Sequence, residues 1–237
     1  MNDALLQIDV FSDIVCPWCY IGKRRLEQSL DAAGLRACAT VTWRPFQLNP
    51  TMPEQGMDRR VYMESKFGSP REVAAIHERV AAAGTAVGID FAFDRIRRSP
   101  NTFAAHRVMH AAALRGPDVQ DRLAERLFRV YFLEGGNIGD PETLVAAAAD
   151  AGLDAHTIRD LLVGHDHSDA VRDEEARGRT MGIRGVPLFV IQGPVAADGE
   201  RPVDILSGAQ PVEAFLAAFA TVGAVAAGTR GPSRTTS

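Results

Sequence analysis

FSDIVCPWCYIGKRRLEQSL, from Phe11 to Leu30, is the stretch whose reading decides the fold. Cys16 and Cys19 stand three residues apart, where an apolar segment gives way to a charged one. Upstream, Gln7–Asp13 (QIDVFSD) alternates apolar and polar residues around Ile8, Val10 and Phe11, the period-two signal of a strand. Downstream, Ile21, Leu26 and Leu30 among Lys23, Arg24, Arg25 and Glu27 suit an amphipathic helix ending near Gly34. Cys16 then falls at the N-cap and Pro17 at the first helical position, where a missing N–H costs nothing.

That placement has chemical consequences. A sulfur at a helix N-terminus faces free N–H groups near Trp18 and Cys19, and these donors with the helix dipole favour thiolate over thiol. Such sites bring a cysteine pKa from about 8.5 into a range of roughly 3.5–7.5. Cys19 lies one turn deeper on the same face, placed to attack a mixed disulfide formed at Cys16. Lys23 is two turns away, on the order of 10 Å, so its help to a thiolate is slight. Asp13 opposes the thiolate if it is charged and near.

Two other readings of the pair stand beside this one. A zinc site needs two more ligands, usually a second close pair, and Cys38 is alone with no histidine until His77. A structural or idle pair is the third. The strand before, the helix after and the proline between favour redox chemistry.

The bulk composition excludes several classes. At 237 residues, 46% hydrophobic and 24% charged, the chain can bury a sizeable core. A net charge of -4 gives no basic nucleic-acid surface. No run reaches the roughly 20 apolar residues of a membrane span. The start, MNDALLQIDVFSD, has no basic segment followed by a long apolar one, so it does not read as a secretory signal. The expected location is the cytoplasm, where structural disulfides are rare and a close cysteine pair is more often reactive.

Ala39–Leu48 (ATVTWRPFQL) reads as a second strand, with Pro45 at its end or on an edge. The pattern then turns helical for about 130 residues, with no repeat. Ser69-Pro70-Arg71-Glu72 is a capping-box start. Further helices are expected from Asn101-Thr102 to about Leu114, over Asp121–Leu133, after Asp140-Pro141-Glu142, after Gly152-Leu153-Asp154, and over Ser168–Met181. Strand-like sequence returns at Pro187–Gln192 (PLFVIQ) and Val203–Leu206, followed by an apolar-faced helix over Pro211–Ala220. This order predicts one discontinuous α/β domain, residues 1–52 and 183–225, with a helical insertion over 53–182. The tail, 226–237, reads as disordered. Arg184-Gly185-Val186-Pro187 leads straight into the returning strand, and its proline cannot serve the middle of a ladder. A cis Val186–Pro187 bond is compatible with the modest cost of an X–Pro peptide, and a trans proline that merely begins the strand fits as well.

Cys16-Pro17-Trp18-Cys19 after a first strand, the helical insertion, and Gly185-Val186-Pro187 before the third strand resemble the DsbA family of the thioredoxin superfamily. The closer likeness is to its cytosolic FrnE-like branch. WRPFQLNP (43–50), NTFAAHRV (101–108), YFLEGGNIGDPETL (131–144) and SGAQPVEAFL (207–216) extend it to about residue 225. The resemblance implies a thioredoxin-like α/β fold and a dithiol–disulfide oxidoreductase. Cys16 would be the nucleophile, Cys19 the resolving thiol and Pro187 a cis proline facing them. The Val186 backbone would pair with a bound substrate strand. Asn101, Thr102 and His106 would lie on an insertion helix facing the cleft and touch substrate. Trp18 departs from the periplasmic DsbA pattern, which has His there, so strong oxidant character does not carry over. The implied partners are disulfide-bearing proteins or small molecules and a thiol reductant. No cofactor beyond the Cys16–Cys19 pair is implied; glutathione and a homodimer stay open.

A sister branch holds 2-hydroxychromene-2-carboxylate isomerases and kappa-class glutathione transferases, which typically carry Ser at the first cysteine position. Both cysteines here count against that alternative. A binder or holdase with the cysteines as a redox switch is the remaining one. Other residues have plainer readings. His106 and His110 have ligand spacing, but Arg107 stands where a zincin needs Glu. His165-Asp166-His167 reads as a solvated loop, Cys38 as a small buried residue, and Trp43 and Phe46 as core.

Overall fold

The structure is a computed structural model that describes residues 5–196 and 199–224. The expected disordered tail lies outside the described residues. The first strand, β1 (Leu6–Ser12), runs parallel to β2 (Ala39–Pro45), with Leu6 opposite Ala39 and Ser12 opposite Pro45. Parallel neighbours need a crossover, and the helix α1 (Pro17–Ala32) supplies it. The second strand stops at Pro45 rather than at Leu48, because a proline has no N–H with which to extend the ladder.

The insertion contains three elements that the sequence pattern concealed. A two-residue strand β3 (Met57–Asp58) leads into α2 (Arg59–Phe67), whose N-cap Asp58 accepts the Val61 N–H at 3.1 Å. Next comes α3 (Pro70–Thr85), opened by the expected reciprocal cap between Ser69 and Glu72. A second short strand, β4 (Arg98–Ser99), pairs antiparallel with β3, so the insertion is not purely helical. It continues through α4 (Phe103–Ala113), α5 (Pro117–Phe132), α6 (Pro141–Asp150), α7 (Ala155–Val163) and α8 (Ser168–Thr180). The fifth helix starts at Pro117, ahead of the expected Asp121, because Pro occupies its first position.

The chain then returns to the sheet. Strand β5 (Leu188–Gln192) runs antiparallel to β1, and β6 (Val203–Ser207) antiparallel to β5, before the helix α9 (Val212–Thr221). The order is β2-β1-β5-β6. The fold is therefore thioredoxin-like α/β with a long, mostly helical excursion between β2 and β5.

Alternation along the strands sends residues to two unequal cores. Leu6, Ile8 and Val10 join Phe189, Ile191, Ile21, Phe215 and Phe219 in a large one that extends into the insertion. Phe11, Phe46, Ile183 and Val190 form a small one on the other face. Each fully buried ring contributes about 1.5–3 kcal/mol. Aromatic contacts tie insertion to sheet domain: Tyr20 of α1 stacks on Phe128 of α5 at 5.0 Å. Gln120 serves the outer edge of β2 as a substitute strand. It accepts the Trp43 N–H at 2.9 Å and donates to the Trp43 carbonyl at 2.8 Å. Trp43 and Phe46 are buried as expected, but Cys38 is exposed, on a short 3₁₀ turn ahead of β2 that leaves its side chain outside the core.

Lys23 also has a different role from the one its spacing suggested. It is 2% exposed, and its ammonium lies against Glu27, 3.1 Å from Asp121 and 3.6 Å from Glu125. The charge binds α1 to α5 and is not directed at Cys16.

Candidate active site

Cys16 holds extended N-cap geometry (φ -92°, ψ 110°), and its carbonyl accepts the Cys19 N–H at 3.0 Å. Its own N–H donates to the Asp13 carbonyl at 3.0 Å, which closes the turn between β1 and α1. The thiol does not cap the helix. It points across to the returning chain and donates to the Val186 carbonyl at 3.7 Å. The Val186–Pro187 peptide is cis, and the Pro187 carbonyl accepts the Gly208 N–H at 2.8 Å. Residues 170 apart in sequence thus meet at one sulfur.

Gly22 is what lets α1 lie this close. A Cβ there would come within 2.9 Å of the Phe189 ring and 3.2 Å of the Pro187 ring. Both cysteines are free thiols. Cys16, Pro17, Trp18 and Val186 line a cavity of about 520 Å³, whereas Cys19 does not reach it. Cys19 is fully buried, and that burial foremost, with the neighbouring Cys16, pushes its thiol pKa well above the ordinary value. The nearby Ser12 hydroxyl and Asp13 backbone act the other way, and burial prevails. Trp18 is exposed beside the pair.

Three residues that the resemblance placed against substrate stand elsewhere. Asn101, Thr102 and His106 do not line the cavity at Cys16. Asn101 is a latch behind its wall, donating to the Met52 carbonyl at 2.7 Å and accepting the Phe103 N–H at 2.8 Å. Thr102 is buried ahead of α4. His106 is buried too, its Nε2 3.4 Å from Asp13 Oδ1. Asp13 itself is sealed, and its Oδ2 accepts the Leu48 N–H at 2.8 Å.

What the sequence reading missed is the opposite wall. Arg59, Tyr62, Met63, Lys66 and Phe67, all from α2, line the cavity with His77 and Arg79 of α3. The only sequence signal was Asp58 three residues ahead of Val61, an N-cap pattern. Among the described residues no three His, Cys, Asp or Glu side chains converge as a metal site would require. Arg107 is used structurally: it donates to the carbonyls of Asp166 and Gly164, both at 2.8 Å, and of Leu161. No helix among the described residues is long and apolar enough to cross a membrane.

A strand–Cys-X-X-Cys–helix unit opposed by a cis proline defines a thioredoxin-fold dithiol site. The family model of the DSBA-like thioredoxin domain matches residues 7–220, and the chain belongs to that family. A structure described as a probable DsbA oxidoreductase of Streptomyces coelicolor is 32% identical. It superposes with a TM-score of 0.80 over 96% of this chain and 92% of its own. The Bacillus subtilis (strain 168) protein YwbO is 26% identical over 210 residues, 86% of this chain and 95% of YwbO. The cytosolic disulfide reductase DsbM of Pseudomonas aeruginosa, solved with GSH, shares the fold at 19% identity. Its TM-score is 0.58, over 89% of this chain and 97% of that one.

Proposed function

We propose that the protein is a thiol–disulfide oxidoreductase that reduces disulfides at Cys16 and Cys19. One observation carries the reading: Cys16 alone opens onto a cavity, while Cys19 is sealed one turn behind it with its proton held tightly. The Cys16 thiolate attacks a substrate disulfide, forming the Cys16 mixed disulfide and expelling one thiolate. Cys19 then gives up its proton and attacks the Cys16 sulfur, releasing the second thiol. The substrate gains two electrons, the Cys16–Cys19 pair becomes a disulfide, and a low-molecular-weight thiol reductant restores it.

Glutathione is a natural candidate for that reductant, since the fold relative DsbM was solved with GSH. A reducing, cytoplasmic setting and a place in the FrnE-like branch complete the proposal. The test is turnover of a disulfide by Cys16→Ser and Cys19→Ser. Loss of turnover in the first, with a trapped mixed disulfide in the second, supports it. Glutathione-dependent turnover of an aromatic substrate that survives Cys19→Ser would instead indicate the isomerase or transferase chemistry. Suppressed client aggregation without turnover would indicate a binder.

A further inference from the structure

The cavity in front of Cys16 has an unusual balance of charge. Arg59, Lys66 and Arg79 line it, and no Asp or Glu among the described residues does. Elsewhere Lys23, Arg24 and Arg44 meet carboxylates, and the buried Arg107 is satisfied by three backbone carbonyls. Arg59 is half-buried, and its Nη1 contacts are neutral, with Ser99 Oγ at 3.4 Å and the Tyr131 hydroxyl at 3.3 Å. Its Nε is buried with no partner at all, as is His77 Nε2 beside it. Lys66, at the exposed rim, donates to the Tyr62 hydroxyl at 3.1 Å and lies over the Tyr62 and Phe67 rings, each centroid 5.4 Å away, with no carboxylate among these contacts.

A guanidinium turned into a low-dielectric wall without a counter-charge is costly unless something supplies one. The remaining walls are apolar and aromatic: Tyr62, Met63, Phe67 and Phe93. At about 520 Å³ the space fits a small molecule and falls within the range of roughly 300–1,000 Å³ for such sites. Resting on the oxidoreductase reading, we infer that the preferred substrate is a low-molecular-weight disulfide bearing a carboxylate and an apolar body. Arg59 would receive the carboxylate, with Lys66 and Arg79 guiding entry, and the apolar wall would hold the body while its sulfur meets Cys16. Burial, reinforced by Arg59, lowers the His77 pKa and so favours its neutral ring in the same wall.

Two aromatic disulfide probes separate this inference from the reading beneath it. Dithiobis(nitrobenzoate) carries carboxylates, whereas dithiodipyridine is neutral. Rapid-mixing rates with both are measured on fully reduced protein in a Cys38→Ser background, which removes the exposed thiol. Arg59→Met should lower the ratio of carboxylate-probe to neutral-probe rate about tenfold, the loss of one charge-assisted hydrogen bond. Arg59→Lys should recover part of that ratio. Lys66→Gln, an exposed change that leaves folding intact, should lower the ratio less and flatten its dependence on salt. Unchanged ratios in the folded Arg59 and Lys66 variants would overturn the inference while leaving the oxidoreductase reading intact. Undiminished consumption of both probes by Cys16→Ser would overturn the reading itself.

Discussion

Asp13 and His106 face each other inside the protein, Oδ1 to Nε2 at 3.4 Å, with 1% and 4% of their surfaces exposed. One sits in the turn that positions Cys16; the other is on α4 of the insertion. The two facing atoms are in contact without forming a hydrogen bond, and the Asp13 bond to the Leu48 N–H ties the dithiol turn to the chain beyond β2. Asp13→Ala should cost about 1–3 kcal/mol, because it strands the Leu48 donor. His106→Ala should cost less. A double-mutant cycle by chemical denaturation should show the two to be coupled. Simple additivity would mean that they are neighbours without an interaction.

The buried Cys19 thiol sets a pH dependence. Burial holds its proton, so the thiolate fraction at neutral pH is small and grows as pH rises. Release of product from the mixed disulfide should accelerate steadily through the alkaline range in single-turnover experiments. A flat profile would mean that another step limits release. Stability should move oppositely. The folded protein binds this proton more tightly than the unfolded chain, whose thiol titrates near 9.0, so reduced protein should lose stability above that pH. Cys19→Ser should remove the loss.

Lys23 makes a sharper case. It is a buried ammonium facing Glu27, Asp121 and Glu125. Lys23→Met leaves those carboxylates crowded, with only Arg24 still facing Glu27 and Glu125, at a cost of about 3–5 kcal/mol in unfolding free energy by chemical denaturation. Burial tends to raise the Glu27 pKa, but Lys23 and Arg24 outweigh it and hold the carboxyl below its usual value of 4.5. That part of the stability is present above pH 4.5 and disappears as pH falls through the lowered value. The difference between wild type and Lys23→Met should therefore narrow in acid. A constant difference would assign the cost to packing.

Two glycines predict opposite kinds of damage. Gly193→Ala would drive a methyl to 1.9 Å from the Val222 carbonyl oxygen, far from the thiols. It should lower the melting temperature and spare the rate of disulfide reduction by the molecules still folded. Gly22→Ala pushes on Phe189 and Pro187 and so displaces the chain that meets Cys16. It should reduce both stability, by about 1–3 kcal/mol, and turnover. Equal effects of the two on turnover would count against Gly22 as the spacer of the site.

Much of the thiol half of the site was legible in the sequence. Ile8, Val10 and Phe11 alternate, Pro17 marks a helix start, and Pro187 cannot sit in mid-strand, so strand, helix and opposing loop could each be placed. The opposite wall was not legible, for a physical reason. RRVYMESKF, residues 59–67, buries only Met63, so it lacks the apolar stripe by which helices are recognised. Its aromatic and cationic residues line a cavity rather than a core. Cys38 misled because a lone cysteine is usually buried. The burial of His106 agrees with the plain packing reading of its helix spacing; its placement against substrate came from the resemblance and not from that spacing.

The two tryptophans divide the molecule optically. Trp43 is enclosed, its indole N–H donating to Asp121 at 3.0 Å, and it takes no part in the wall around Cys16. Trp18 stands between the two sulfurs in sequence and is 39% open to solvent. Disulfides quench a nearby indole and thiols do so less, so emission from Trp18 should follow the oxidation state while emission from Trp43 holds constant. The protein thus carries both a gauge and its internal standard, and Trp18→Phe should silence the first while leaving the second.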